Sequence, residues 1–142
     1  MPNETSVDLV QRFDEELYGG GRLSVADEIL APDFVFYGPA AGIHGPDGFK
    51  GFVQVMRSAF PDLQFETHQI ISDGRKVARV CTMRGTHQGE LRGMPASGQV
   101  VALPRIDTFI VEEDRILEVQ TYMDHQALFA LLQSEAAEPA HA

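Results

Sequence analysis

A chain of 142 residues, 44% of them hydrophobic, has the length of one domain and enough apolar side chains to bury a core without cross-links. Its 21 acidic residues against 11 basic ones give a formal charge of −10, which argues against nucleic acid or an anionic membrane surface as partner and weakly against a highly anionic substrate. Cys81 is the single cysteine, so an intrachain disulfide is excluded; no run approaches the roughly eighteen apolar residues of a membrane span, Asn3-Glu4-Thr5-Ser6 is not a secretion signal, and a soluble cytoplasmic protein is expected.

Thr5 with Asp8 forms a capping-box pattern, and Val10, Phe13 and Leu17 recur at helical spacing until Gly19-Gly20-Gly21 stops the helix. Ser24 is placed to cap a short second helix carrying Val25, Ile29 and Leu30, which Pro32 ends. Phe34 to Tyr37 reads as a strand, and Gly38 to Gly45 as a loop. Pro46 opens a third helix with the stripe Phe49, Phe52, Val53, Met56 and Phe60, stopped by Pro61. Strand patterns then dominate: Leu63-Phe65-Thr67, Val77 to Met83, Val100 to Val111 and Ile116 to Met123, with a glycine-rich loop from Gly85 to Gly98. Asp124 is placed to cap a last helix carrying Leu128, Leu131 and Leu132, and the Ala/Glu/Pro-rich stretch 134–142 reads as a flexible tail after one domain, 1–133. Helices first and long strands after predict an α+β fold: three to four helices laid across a curved antiparallel sheet that encloses one pocket for a small, largely apolar molecule.

Several segments together carry a specific likeness. Gly45-Pro46-Asp47-Gly48 leads into the helix that ends Phe60-Pro61-Asp62-Leu63. Gly85-Thr86-His87-x-Gly89-Glu90, Gly93-x-Pro95-x-x-Gly98 and Ile106-Asp107-x-Phe109 follow in order. Over residues 7–133 the chain resembles the SnoaL-like polyketide cyclases, within the nuclear transport factor 2-like cone fold. The resemblance implies cofactor-free acid–base chemistry on a polyketide- or steroid-like ketone (aldol cyclisation, isomerisation or carbon–carbon lyase action) by a homodimer, with no metal and no nucleotide. A non-catalytic binder of a hydrophobic metabolite and an epoxide-hydrolase-like hydrolase are the alternatives, since fold alone does not give function.

Asp107 is the leading site candidate. Its strand alternation puts it with Phe109 and Val111, where burial would raise its pKa and leave a neutral acid able to donate to an enolate oxygen; a carboxylate tied to Arg79 or Arg105 is the other reading. The strand from Val101 to Asp107 resembles the one bearing the oxyanion-binding aspartate of ketosteroid isomerase. Other positions depart from the relatives. The catalytic aspartate of the cyclases falls on Thr121, the Arg-x-Asp of limonene epoxide hydrolase on Arg79-Val80-Cys81, and the isomerase's base and tyrosine on Gly38 and Phe13. His44 is a candidate base titrating near neutrality, at a position where the nogalamycin-type cyclase has histidine, or else a loop residue at the pocket mouth. Arg79 is expected to set the charge of Asp107. Tyr18, Phe36, Phe52, Cys81, Phe109 and Thr121 are expected to line the pocket, and His87 to hold its hairpin together. His87-x-x-Glu90 lacks the second pair that would make a metal site.

Overall fold

The capping box at Thr5 opens α1 (Ser6–Arg12): the Thr5 hydroxyl accepts from the Asp8 amide, and the Asp8 carboxylate accepts from the Thr5 amide. The computed structural model describes residues 5–38 and 42–133; the tail 134–142 and part of the loop after Gly38 lie outside the described residues. From Phe13 to Tyr18 the helix widens into a π-helical segment, closed by the Gly19 amide on the Asp14 carbonyl. Phe13, Asp14, Leu17 and Tyr18 are all buried in it. Helix α2 (Val25–Ile29) follows; Ser24 precedes it, but the hydroxyl makes no capping bond because Ser24 already has helical dihedrals.

Six strands form one sheet in the order β2-β1-β6-β5-β4-β3. They are β1 (Leu30–Tyr37), β2 (Ile43–His44), β3 (Gln64–Ser72), β4 (Lys76–Thr86), β5 (Val100–Glu112) and β6 (Arg115–Tyr122). All neighbours are antiparallel except β1 against β6, which run parallel. Strand β1 starts earlier than the sequence suggests and passes through Pro32; its pairing with β6 shifts register between Leu30 and Val35, where the missing amide interrupts no ladder bond. Further shifts between Thr67 and Gln69 and between Ile110 and Val111 mark where the sheet curls.

Helix α3 (Gly45–Ala59) lies across the inside of the curl, with Phe49, Val53, Met56 and Ala59 buried, and α4 (His125–Gln133) closes one end. The core is aromatic at its centre: Phe49 stacks on Phe13 with ring centroids 5.2 Å apart, and Phe34, Phe36 and Tyr18 meet it within 5.7 Å. The Gly85-to-Gly98 segment is anchored to the end of α3. Gln88 and Gly89 both donate their amides to the Ala59 carbonyl. A Cβ on Gly89 would stand 2.1 Å from the Ser58 carbonyl oxygen, so only glycine fits there. The buried His87 ring packs on Phe60 and places Nδ1 2.9 Å from the Ser97 hydroxyl, which braces the hairpin.

Candidate active site

Strand alternation assembles the site. On β4 and β5 the odd-numbered residues face inward, so Arg79 and Cys81 of β4 and Arg105, Asp107 and Phe109 of β5 are all buried. Register then aligns Arg79 with Asp107, and Asp107 with Thr121 of β6, in one row across three strands.

Asp107 is fully buried and saturated. One carboxylate oxygen lies 2.5 Å from Arg79 Nη2, and Arg105 Nε reaches both oxygens at 3.0 and 3.2 Å. The Thr121 hydroxyl donates at 2.7 Å. Burial alone would raise the Asp107 pKa, but the two guanidinium groups and the Thr121 hydrogen bond outweigh it and hold the carboxyl below its usual value. The neutral-acid reading is therefore corrected: Asp107 is an ion-paired carboxylate, and no lone pair or proton is left over for a ligand. Arg79 is shared, with Nη1 2.5 Å from the buried Asp14 carboxylate. Asp14 has this single guanidinium and one oxygen without a hydrogen bond among the described residues, and burial pushes its pKa up against the pull of Arg79.

In front of this cluster is a cavity of about 200 Å³, open to solvent at its mouth. Tyr18, Phe36, Phe52 and Phe129 form its aromatic wall, and Met56, Met83 and Met123 add thioethers. The polar groups that reach it are Tyr18, Arg105, Thr121, His125 and, on the loop, Arg92; among the described residues no carboxylate lines it.

The expected site residues thus separate. Tyr18, Phe36, Phe52 and Thr121 line the cavity. Phe109 and Cys81 do not: Phe109 is packed edge-on against Phe13, and burial raises the Cys81 thiol to about 11. Arg79 and Asp107 stand behind the wall. His44 is exposed at the start of α3 and outside the cavity, because β2 pairs it outward beside Val35. The Arg-x-Asp spacing assigned to Arg79-Val80-Cys81 is met on the neighbouring strand, by Arg105-Ile106-Asp107.

Two further residues face the cavity with chemistry: Arg105, which the sequence offered only as an ion-pair partner of Asp107, and His125, which it did not single out. Arg105 is fixed through Nε by Asp107 and through Nη2 by Thr121 at 3.1 Å, while Nη1 meets only the weak sulfur acceptor of Met83 at 3.8 Å. Its guanidinium carbon lies over the Tyr18 ring, 5.3 Å from the centroid. Burial raises the Tyr18 pKa although Arg105 opposes it, and the group remains a phenol. His125, the first residue of α4, is half-buried in the wall. Burial, then Arg105 and Arg92, lower its pKa, which keeps a neutral imidazole at neutral pH. Strand parity could have found Arg105, two residues from Asp107; His125 has no such signal, since it follows the helix cap Asp124.

The SnoaL-like polyketide cyclase model matches residues 8–132. The chain belongs to that family. Aklanonic acid methyl ester cyclase DnrD of Streptomyces peucetius is 26% identical over 133 residues, 90% of either chain. Among solved structures, IdmH of Streptomyces antibioticus is 28% identical with a TM-score of 0.75, covering 92% of this chain and all of its own. A SnoaL-like protein from Jannaschia sp. CCS1 superposes at a TM-score of 0.85 over 94% of this chain and 96% of its own; at 22% identity that likeness concerns the fold alone. Among the described residues, no helix is long and apolar enough to cross a membrane.

Proposed function

We propose that this member of the family is a cofactor-independent cyclase acting on a small hydrophobic polyketide-like ketone, with His125 as base and Arg105 and Tyr18 as the oxyanion site. The observation that carries the reading is the meeting, in one apolar cavity, of a neutral imidazole with two preorganised donors. A ketone oxygen placed against Arg105 Nη1 and the Tyr18 hydroxyl is polarised. His125 takes a proton from the adjacent carbon, and the charge moves onto that oxygen as an enolate. The enolate carbon attacks a second carbonyl of the same molecule, closing a carbon–carbon bond, and the new alkoxide recovers the proton from His125. Product and substrate are isomers, and nothing is consumed.

Asp107 and Arg79 are positioning residues in this scheme. Asp107 fixes the plane of Arg105, and Arg79 keeps Asp107 ionised. Thr121 stands where the cyclases have their aspartate; its proton is committed to Asp107, so it serves as a brace for Arg105 rather than a base. That replacement favours a second reading, a binder without turnover.

The test is conversion of a panel of polycyclic ketones to products of unchanged mass, by wild type and His125→Gln. Loss of a base is expected to lower kcat by about 10²–10⁴ while substrate still binds. Binding without turnover in the wild type would support the binder, and an unchanged kcat in His125→Gln would remove His125 from the chemistry.

A further inference from the structure

The cavity and the protein that surrounds it differ in sign. The chain carries a formal charge of −10, yet among the described residues the polar side chains lining the cavity are Tyr18, Arg92, Arg105, Thr121 and His125, with no carboxylate. Arg105 is balanced by Asp107 behind the wall. Arg92 is not: among the described residues it makes no ion pair and no hydrogen bond from its side chain. Its contact is with the Phe129 ring, 5.5 Å from the guanidinium carbon, and Phe129 is itself part of the cavity wall.

The backbone under Arg92 makes its presence more telling. Leu91 and Met94 exchange both amide–carbonyl bonds, at 3.0 and 2.9 Å, across the two-residue turn Arg92-Gly93. Both turn residues have positive φ, 51° and 83°. Such a turn takes asparagine, aspartate or glycine without strain, and an arginine there costs conformational energy. The turn carries Arg92, an exposed residue, to the mouth of an apolar pocket, where its guanidinium is open to an anion.

We propose that the cavity binds a carboxylate: the substrate is a polycyclic ketone bearing a free acid group, docked on Arg92 at the mouth while the ketone reaches Arg105 and His125. This rests on the cyclase reading for the inner half of the ligand only. It also reverses, locally, the expectation that an acidic protein avoids anionic substrates. A methyl ester, the form in the name of the Streptomyces peucetius relative, offers Arg92 no charge.

The probes are anthraquinone-2-carboxylate and its methyl ester, alike in size and ring system. Binding of each is measured by calorimetric titration to wild type, Arg92→Gln and Arg92→Lys, at low and high salt, with thermal melts to verify folding. Wild type is expected to favour the acid about five- to tenfold at low salt, as for one charge-assisted contact near solvent, and the preference shrinks at high salt. Arg92→Gln brings the acid-to-ester ratio close to one, and Arg92→Lys retains part of it. An ester that binds as well as the acid to the wild type overturns the carboxylate site and leaves the cyclase reading intact. A preference that survives in Arg92→Gln overturns the assignment to Arg92. Failure of both molecules to bind overturns the carboxylate site together with the ketone pocket beneath it.

Discussion

Replacing Asp107 by Asn separates an ion-paired carboxylate from a neutral hydrogen-bond donor. Asparagine is nearly isosteric and can still accept from Thr121 and donate to a ligand, as a protonated acid would. What it cannot do is balance charge. With Asp107 neutral, Arg79 and Arg105, both fully buried, share the single carboxylate of Asp14, which touches only Arg79. An uncompensated buried charge costs about 3–5 kcal/mol, and the retained Thr121 contact points to the lower end, about 3 kcal/mol. For a domain of this length that lowers Tm by about 6–12 °C. Thermal unfolding followed by circular dichroism at pH 7 measures it. The pH dependence carries a second signature. The folded pKa of Asp107 is held below its unfolded value of 3.8, so its contribution is complete above that value and is lost as pH falls through the folded pKa. Wild type should therefore lose a component of stability below about pH 4 that Asp107→Asn lacks. A variant melting within about 2 °C of wild type, with the same acid limb, would refute the ion-pair account.

The remaining predictions concern His125, Cys81 and the outer face of the sheet. The His125 pKa lies below 6.5, so kcat should be flat through neutrality and fall on acidification below that value; a pH–rate profile that falls instead as pH rises would point to an acid in its place. The Cys81 thiol, buried and raised to about 11, should resist a thiol-specific dye at pH 8 in the folded protein and react only on denaturation. The homodimer remains a proposal. Ile106 and Tyr122 are neighbours in register on the outer face, both exposed, and with Val100 they leave apolar surface there. Light scattering should give twice the 15.6 kDa chain mass for wild type and the single-chain mass for Ile106→Glu; a wild-type monomer would dispose of it.

The fold was legible because its signals are local. The Thr5 cap, the glycine stop after Tyr18, the apolar stripe of α3 and the two-residue alternation of β4 and β5 each specify an element by themselves. The same alternation put Asp107 inside. What it could not give is the balance of forces on that carboxyl. Arg79 meets Asp107 through pairing between strands 28 residues apart in sequence, and a pKa that burial raises on one strand is lowered by a neighbour on the next. His44 failed as a cavity residue for a related reason: proximity to α3 in sequence says nothing of which way β2 turns its side chains. His125 shows the converse, a side chain whose position comes wholly from how α4 closes the end of the sheet.

The widened turn from Phe13 to Tyr18 bears on how such a site could arise. A π-helical turn is, in effect, a helix that has taken in one extra residue, and each residue turns an ordinary helix by about 100°. Phe13, Asp14, Leu17 and Tyr18, spaced as two i,i+4 pairs, are all buried on one side of it, so an acid and a phenol share a face with hydrocarbon. A one-residue deletion between α1 and Tyr18 would turn Tyr18 by about 100° around the helix axis. The length of this stretch, as well as its composition, therefore sets which side chain meets Arg105.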